Sequence, residues 1–212
     1  MHACSSAGST TPQRQAYRPC HRFLHGVAAL QPPSESIMTS SPRKEVFLHP
    51  GEWIFADREH VISTLLGSCV SIVLWHPQLQ VGGMCHYLLA HRSERGSREL
   101  SGRYGDEAML LLLREVLATG RPLQEFRVKL IGGAAILATL EGEHGSNDVA
   151  ARNADMARLL ARQLGLAVQA EDLGGACPRM VVFDVQSGDV WVRLSQDNDA
   201  GATLAGKKRK KA

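Results

Sequence analysis

The chain has 212 residues, 24 Lys and Arg against 21 Asp and Glu (a formal net charge of +3), and 44% hydrophobic residues. That length and apolar share suit one domain around one sizeable core and leave little room for a second. The charges nearly balance and no basic stripe is interleaved with aromatics, which points away from nucleic acid; no apolar run approaches the roughly 20 residues needed to span a bilayer, which points away from membrane insertion.

The five cysteines, Cys4, Cys20, Cys69, Cys85 and Cys177, are odd in number and contain no C-x-x-C pair. They suggest neither a disulfide framework nor a zinc ribbon, so a reducing, cytoplasmic setting is expected. Residues 1–45 carry Ser, Thr, Pro, Gln, Arg and His without periodicity, and a disordered N-terminal segment is expected there. Met38 opens "MTSSPRKEVFLHPGEWIFA", and translation from Met38 rather than Met1 is a further expectation. The domain is expected over residues 46–195, followed by a flexible basic tail, residues 196–212, that ends "GKKRKKA".

In chain order, "EVFLHPGEWIFA" predicts a strand, a Pro-Gly turn and a second strand; "HVISTLL" and "CVSIVLW" predict two strands around a tight bend. "HPQLQ" turns the chain into "VGGMCHYLLA", the next strand. "DEAMLLLLREVLATGRP" predicts a helix with an Asp cap and Gly120 as its stop. "FRVKLIGGAAIL" reads as a strand running into a glycine turn. "NDVAARNADMARLLARQLG" reads as a second helix, capped by Asn147 or Asp148 and ended by Gly165. The strand "LAVQAEDL" and the hairpin "MVVFDVQSGDVWVRL" complete an α+β fold, a sandwich of mixed β-sheets with flanking helices in a single domain.

Cys69 sits behind Gly67 and Ser68 at the mouth of an apolar strand. A thiol becomes a nucleophile as thiolate, which a nearby imidazole promotes. His76 lies at the far end of the same strand, about 20 Å away at the strand rise. His86 lies on the next strand, and a hairpin would bring it back diagonally towards Cys69, so that the two meet at the surface. Two readings stay open on these residues alone. Cys69 is either a small core hydrophobe with His86 a satisfied structural residue, or the pair is reactive, with Gly67, Gly82 and Gly83 letting a substrate approach and leaving N–H groups free for an oxyanion. Cys85 should face the other side of its strand as packing. No H-E-x-x-H is present, and Cys85, His86 and His91 form a weak set, so no metal is expected. Arg152 and Asn153 in "AARN" read as polar helix-face residues touching a neighbouring loop, without a catalytic role.

"TLLGSCVSIVLWHP" followed by "VGGMCHYLLAHR" resembles the CheD family of chemoreceptor glutamine deamidases, whose hallmark is an LGSC segment with a GGMxH segment after it. The likeness continues through "YGDEAMLLLLREV", "KLIGGAAIL", "VAARNADMARLLARQLGLAVQAEDLGG" and the last hairpin. The resemblance implies Cys69 as nucleophile, His86 as general base and acid, and backbone N–H groups around Gly67 and Ser68 at the oxyanion. It also implies a hydroxyl just upstream of LGSC: Ser63 by an ungapped count, Thr64 if one residue is deleted. It implies no cofactor, the cytoplasmic region of methyl-accepting chemotaxis receptors as substrate, and a CheC-type phosphatase as a further partner. Two alternatives stand beside it: a non-catalytic chemotaxis adaptor that binds such a phosphatase or a receptor, and a generic thiol amidohydrolase or methylesterase.

Overall fold

The structure is a computed structural model that describes residues 43–93, 99–136 and 146–195. The expected N-terminal segment up to residue 42, Met38 and the basic tail lie outside the described residues, as do the side chains of Asn147 and Asp148. In chain order the elements are β1 (Lys44–Phe47), β2 (Trp53–Asp57), β3 (His60–Leu66), β4 (Val70–His76), β5 (Val81–Cys85), α1 (Gly105–Ala118), β6 (Arg127–Gly132), α2 (Ser146–Gln163), β7 (Val168–Leu173), β8 (Arg179–Asp184) and β9 (Val190–Leu194). β1 therefore opens at Lys44, ahead of the expected domain boundary at residue 46.

Two sheets face each other. One is four-stranded in the order β1-β3-β8-β9, the other five-stranded in the order β2-β5-β4-β6-β7. Each is mixed: β1 runs parallel to β3 and β6 parallel to β7, while the remaining neighbours are antiparallel. This is the α+β sandwich that the alternation of strand and helix patterns predicts.

Every residue of β4 is buried. The strand lies between β5 and β6 with both faces covered, which explains why the run Ile72–Trp75 is apolar without alternating. Its alternation still sorts two cores. Val70, Ile72 and Leu74 face the helices, packing with Cys85, Tyr87, Ala108, Leu112 and Ala157. Val73 and Trp75 face the other sheet, packing with Ile62, Leu66, Met84, Val181 and Phe183. A fully buried aliphatic or aromatic side chain contributes about 1.5–3 kcal/mol, so each layer anchors its elements firmly.

α1 buries Ala108, Met109, Leu112 and Val116 along one stripe. Its N-cap is Tyr104, without a side-chain cap hydrogen bond, and the expected cap Asp106 instead lies in the first turn, where a carboxylate suits the positive end of the helix. Gly120, at φ +69°, ends it as predicted. Gly82 and Gly83 serve packing rather than substrate approach. A Cβ on Gly82 would lie 2.6 Å from the Leu74 carbonyl oxygen, and one on Gly83 would lie 2.6 Å from Leu112 Cδ2. Both glycines let neighbouring groups close onto the middle of β5. The bend Gly67–Cys69 carries the chain from the end of β3 in one sheet to the start of β4 in the other, which places it at an open end of the sandwich.

Candidate active site

Thr64 and His86 arrive from opposite sheets. Ile62, Thr64 and Leu66 are the buried phase of β3 and point between the sheets. His86 follows β5, its N–H donating to the Glu52 carbonyl at 2.9 Å and its carbonyl accepting from Gly51 N–H at 2.7 Å. Gly51 makes this turn at φ +89°. The Thr64 Oγ1 atom lies 2.8 Å from the Leu48 carbonyl oxygen and 2.8 Å from His86 Nδ1.

That pair of contacts fixes the tautomer. A hydroxyl has one proton, and the Leu48 carbonyl can only accept, so the proton goes to Leu48 and Thr64 Oγ1 accepts from Nδ1–H. In the neutral ring Nε2 is then a bare acceptor. It is buried, with no hydrogen-bond partner among the described residues. Burial lowers the His86 pKa below its ordinary 6.5; the Leu48 carbonyl and Glu52 pull it back up, and His49 pushes it down. Burial therefore favours the neutral imidazole, whose Nε2 lone pair is then free.

Val70 pairs with Tyr87 in the same register that pairs Val73 with Met84, which sets Ser71 opposite His86 and Cys69 opposite Leu88. Cys69, Ser71 and His86 thus share the face between the sheets, with Cys69 diagonal to His86, and no bulge is needed. Cys69 is partly buried against the Leu66, Val73 and Met84 cluster. His86 is only 2% exposed, so the imidazole lies inside the sandwich rather than at its surface, with the thiol nearer the mouth. Burial raises the Cys69 thiol above 9.0, opposed by its own N–H. Both shifts favour the neutral thiol and the neutral imidazole, and no hydrogen bond joins the two side chains.

Of the two upstream hydroxyls, only Thr64 reaches the imidazole. Ser63 Oγ lies 3.5 Å from the Val46 carbonyl oxygen, on the opposite phase of β3. At the bend, the carbonyls are all paired: Gly67 accepts from Ala134 N–H at 2.8 Å, Ser68 from Asn153 Nδ2 at 3.0 Å, and Cys69 from Gly133 N–H at 2.8 Å. The N–H groups of Gly67, Ser68 and Cys69 have no acceptor elsewhere in the chain among the described residues. The bend thus leaves successive N–H donors free beside paired carbonyls, on the segment that carries the sulfur.

Cys85 lies on the helix side, fully buried, its thiol pushed up to about 12 by desolvation, which makes it packing as expected. His76, also buried, bonds Glu125 at 2.8 Å and stacks edge-on against Phe126 at the far end of β4. Among the described residues Cys85, His86 and His91 are not gathered into a metal-binding group. A hollow of about 260 Å³, lined by residues including Gly133, Ala150, Ala154 and Gly175, includes neither Cys69 nor His86 in its lining.

Two residues were not assigned to this site from the sequence. Ser71 Oγ is buried and has no hydrogen-bond partner among the described residues, on the His86 face. Asn153 is fully buried on α2, where its Nδ2 donates to both Ser68 and Leu88. Its signal was a polar residue within a helical stripe of buried alanines, Ala150, Ala154, Ala157 and Ala161.

Residues 88–194 match the family model described as CheD chemotactic sensory transduction. That match begins beyond Cys69 and His86, so it bears on the fold rather than on those side chains. A relative from Chromobacterium violaceum, named "Probable chemoreceptor glutamine deamidase CheD 1", is 63% identical over 163 residues, 74% of this chain and 84% of that protein. Another from Dechloromonas aromatica, named "Probable chemoreceptor glutamine deamidase CheD 3", is 44% identical over 165 residues, 77% of this chain and 96% of its own. A third, from Pseudomonas savastanoi pv. phaseolicola and named "Probable chemoreceptor glutamine deamidase CheD", is 44% identical over 149 residues, 70% of this chain and 84% of its own. The chain belongs to the CheD family.

Proposed function

We propose that this protein is a protein-glutamine glutaminase that converts specific glutamines of methyl-accepting chemotaxis receptors, in their cytoplasmic region, to glutamate with release of ammonia. The observation that carries the reading is the Thr64–His86 contact, which leaves a bare, buried Nε2 on the sheet face that Cys69 shares. The names of the relatives supply the substrate class.

The steps follow from the protonation states. The Cys69 proton passes to His86 Nε2 as sulfur bonds the carboxamide carbon, and the carbonyl π electrons move onto oxygen, where the N–H groups of Ser68 and Cys69 receive them. The intermediate collapses; the C–N bond breaks as Nε2–H protonates the nitrogen, and ammonia leaves. Water then attacks the thioester, giving its proton to Nε2; the C–S bond breaks, the sulfur regains its proton, and glutamate remains. Thr64 holds the ring throughout, accepting from Nδ1–H and stabilising the imidazolium formed between steps.

A protein substrate suits the surroundings of the bend. Leu89, next to the residue opposite Cys69, and Ile136, whose Cδ1 lies over Gly67, are both exposed apolar side chains available to a docking partner. The cytoplasm as compartment and a CheC-type phosphatase as partner rest on the family resemblance; no helix among the described residues is long and apolar enough to cross a membrane. The test is incubation of the purified protein with a receptor cytoplasmic fragment, reading ammonia and the amide-to-acid mass change at single glutamines. Cys69→Ala abolishes both; turnover in that variant would refute the mechanism, and receptor binding without turnover by the wild type would make the protein an adaptor.

A further inference from the structure

Asn153 stands where the ladder between β4 and the strand carrying His86 gives out. The last paired residues are Val70 and Tyr87, which exchange N–H···O bonds at 3.1 and 3.0 Å. An antiparallel ladder continued in that register would set Ser68 opposite Leu89, with Leu89 N–H donating to the Ser68 carbonyl. Leu89 is diverted instead: its N–H donates to Arg103 at 3.1 Å and its carbonyl accepts from Gly105 at 2.8 Å. The vacated place at the Ser68 carbonyl is taken by Asn153 Nδ2 at 3.0 Å, and the same nitrogen reaches the Leu88 carbonyl at 2.7 Å.

The assignment of the amide is settled by chemistry, because two carbonyls can be met only by the NH₂ group. Asn153 is itself held through its backbone, its main-chain carbonyl accepting from Tyr87 Oη at 2.6 Å. One side chain on α2 thus ties the residue before Cys69 to the segment after His86.

The Ser68 carbonyl and the Cys69 N–H belong to one planar trans peptide and point in opposite directions. Fixing the carbonyl towards Asn153 therefore aims the N–H the other way, towards β6. There the partner that a regular ladder would offer, the Gly133 carbonyl, is missing from the hydrogen bonds of Cys69. Gly132 and Gly133 enter left-handed conformations at φ +121° and +66°, and only the Gly133 N–H still meets Cys69, at its carbonyl. Cys69 is held on both sides while its own N–H is left without a main-chain acceptor among the described residues.

We infer that Asn153 is a positioning residue for acyl transfer: by holding the Ser68 carbonyl it locks the Ser68–Cys69 peptide plane with the Cys69 N–H presented to the oxyanion. This deepens the proposed function and rests on Cys69 forming an acyl-enzyme. It assigns Asn153 no contact with substrate.

The test compares two reactions at the same sulfur. Acylation of Cys69 by p-nitrophenyl acetate passes through a tetrahedral oxyanion; alkylation by iodoacetamide is a direct displacement that forms none. Both are read on the Cys69 peptide by mass spectrometry in the full chain, for wild type, Asn153→Ala and Asn153→Asp. Both variants are first shown by circular dichroism and thermal midpoint to be folded at the assay temperature, because an unfolded chain is alkylated without any oxyanion site and would lower the ratio by itself. Misalignment of one oxyanion donor should lower the acylation-to-alkylation ratio by about 10²-fold to 10³-fold, and deamidation kcat should fall with it at little-changed KM. An unchanged ratio in both variants, or acylation and alkylation falling together, would overturn the inference. If wild-type Cys69 is alkylated but never acylated, the acyl-transfer reading itself falls and takes this one with it.

Discussion

Replacing Thr64 with valine tests the centre of the arrangement, because the change keeps the shape and deletes one oxygen. Thr64 Oγ1 serves two buried groups, the Leu48 carbonyl and His86 Nδ1, both at 2.8 Å. Valine leaves each without that partner, at about 1–3 kcal/mol for every buried polar group orphaned, so a clear fall in thermal midpoint is expected. The kinetic effect is larger and separable. Without the acceptor that holds the proton on Nδ1, the ring can place it on Nε2, where it blocks the lone pair that must take the thiol proton. General-base catalysis typically contributes 10²–10⁴-fold, and kcat for ammonia release should fall by about that factor in Thr64→Val. Thr64→Ser keeps the oxygen and should recover most of the rate. Ser63→Ala, on the opposite phase of β3, should behave as wild type. Near-normal turnover in Thr64→Val together with its loss in Ser63→Ala would refute the reasoning and move the upstream hydroxyl to Ser63.

Gly132→Ala would put a Cβ 2.3 Å from the Cys69 carbonyl oxygen at φ +121°, so both stability and acylation of Cys69 should drop. The same change at Gly165, with φ +63° and nothing within 4 Å, carries only the left-handed penalty and should leave kcat alone. That penalty is about 1–2 kcal/mol, readable by denaturant titration beside the enzymatic rate. Ser71→Ala removes a buried hydroxyl that has no partner among the described residues and should leave the thermal midpoint level or raised; a clear loss of stability would mean that Ser71 Oγ makes a contact with His86 in solution. Because burial depresses the His86 pKa below 6.5, the unfolded chain takes up a proton there that the folded protein refuses. Its contribution to stability is then complete above 6.5 and disappears as pH falls through the folded value, and the acid limb of kcat/KM lies below 6.5. A limb above 6.5 would contradict a buried neutral imidazole.

What the sequence made legible follows distance along the chain. Cys69 and His86 belong to one hairpin, so strand rise and a turn suffice to bring them diagonal to each other, and the observed register does so. The choice between Ser63 and Thr64 could not be made that way. Both alternate phases of "HVISTLL" carry a hydroxyl between apolar residues, so periodicity alone is silent; what selects Thr64 is the pairing of β3 with β8 and the facing sheet that buries Ile62, Thr64 and Leu66 together. The glycines divided for a related reason. A glycine in a strand announces that something approaches closely without saying what, and at Gly82 and Gly83 it is packing and backbone, whereas Gly132 closes on Cys69 itself. Asn153 lies furthest from reach, since its partners are carbonyls on two other elements and a carbonyl leaves no trace in the alphabet of side chains. Its only mark is a polar residue in a stripe of buried alanines, and a buried amide must find partners there or destabilise the helix packing. The polar group that interrupts an apolar face is therefore the sequence feature that most deserves a structural partner, and here that partner is the peptide that leads into Cys69.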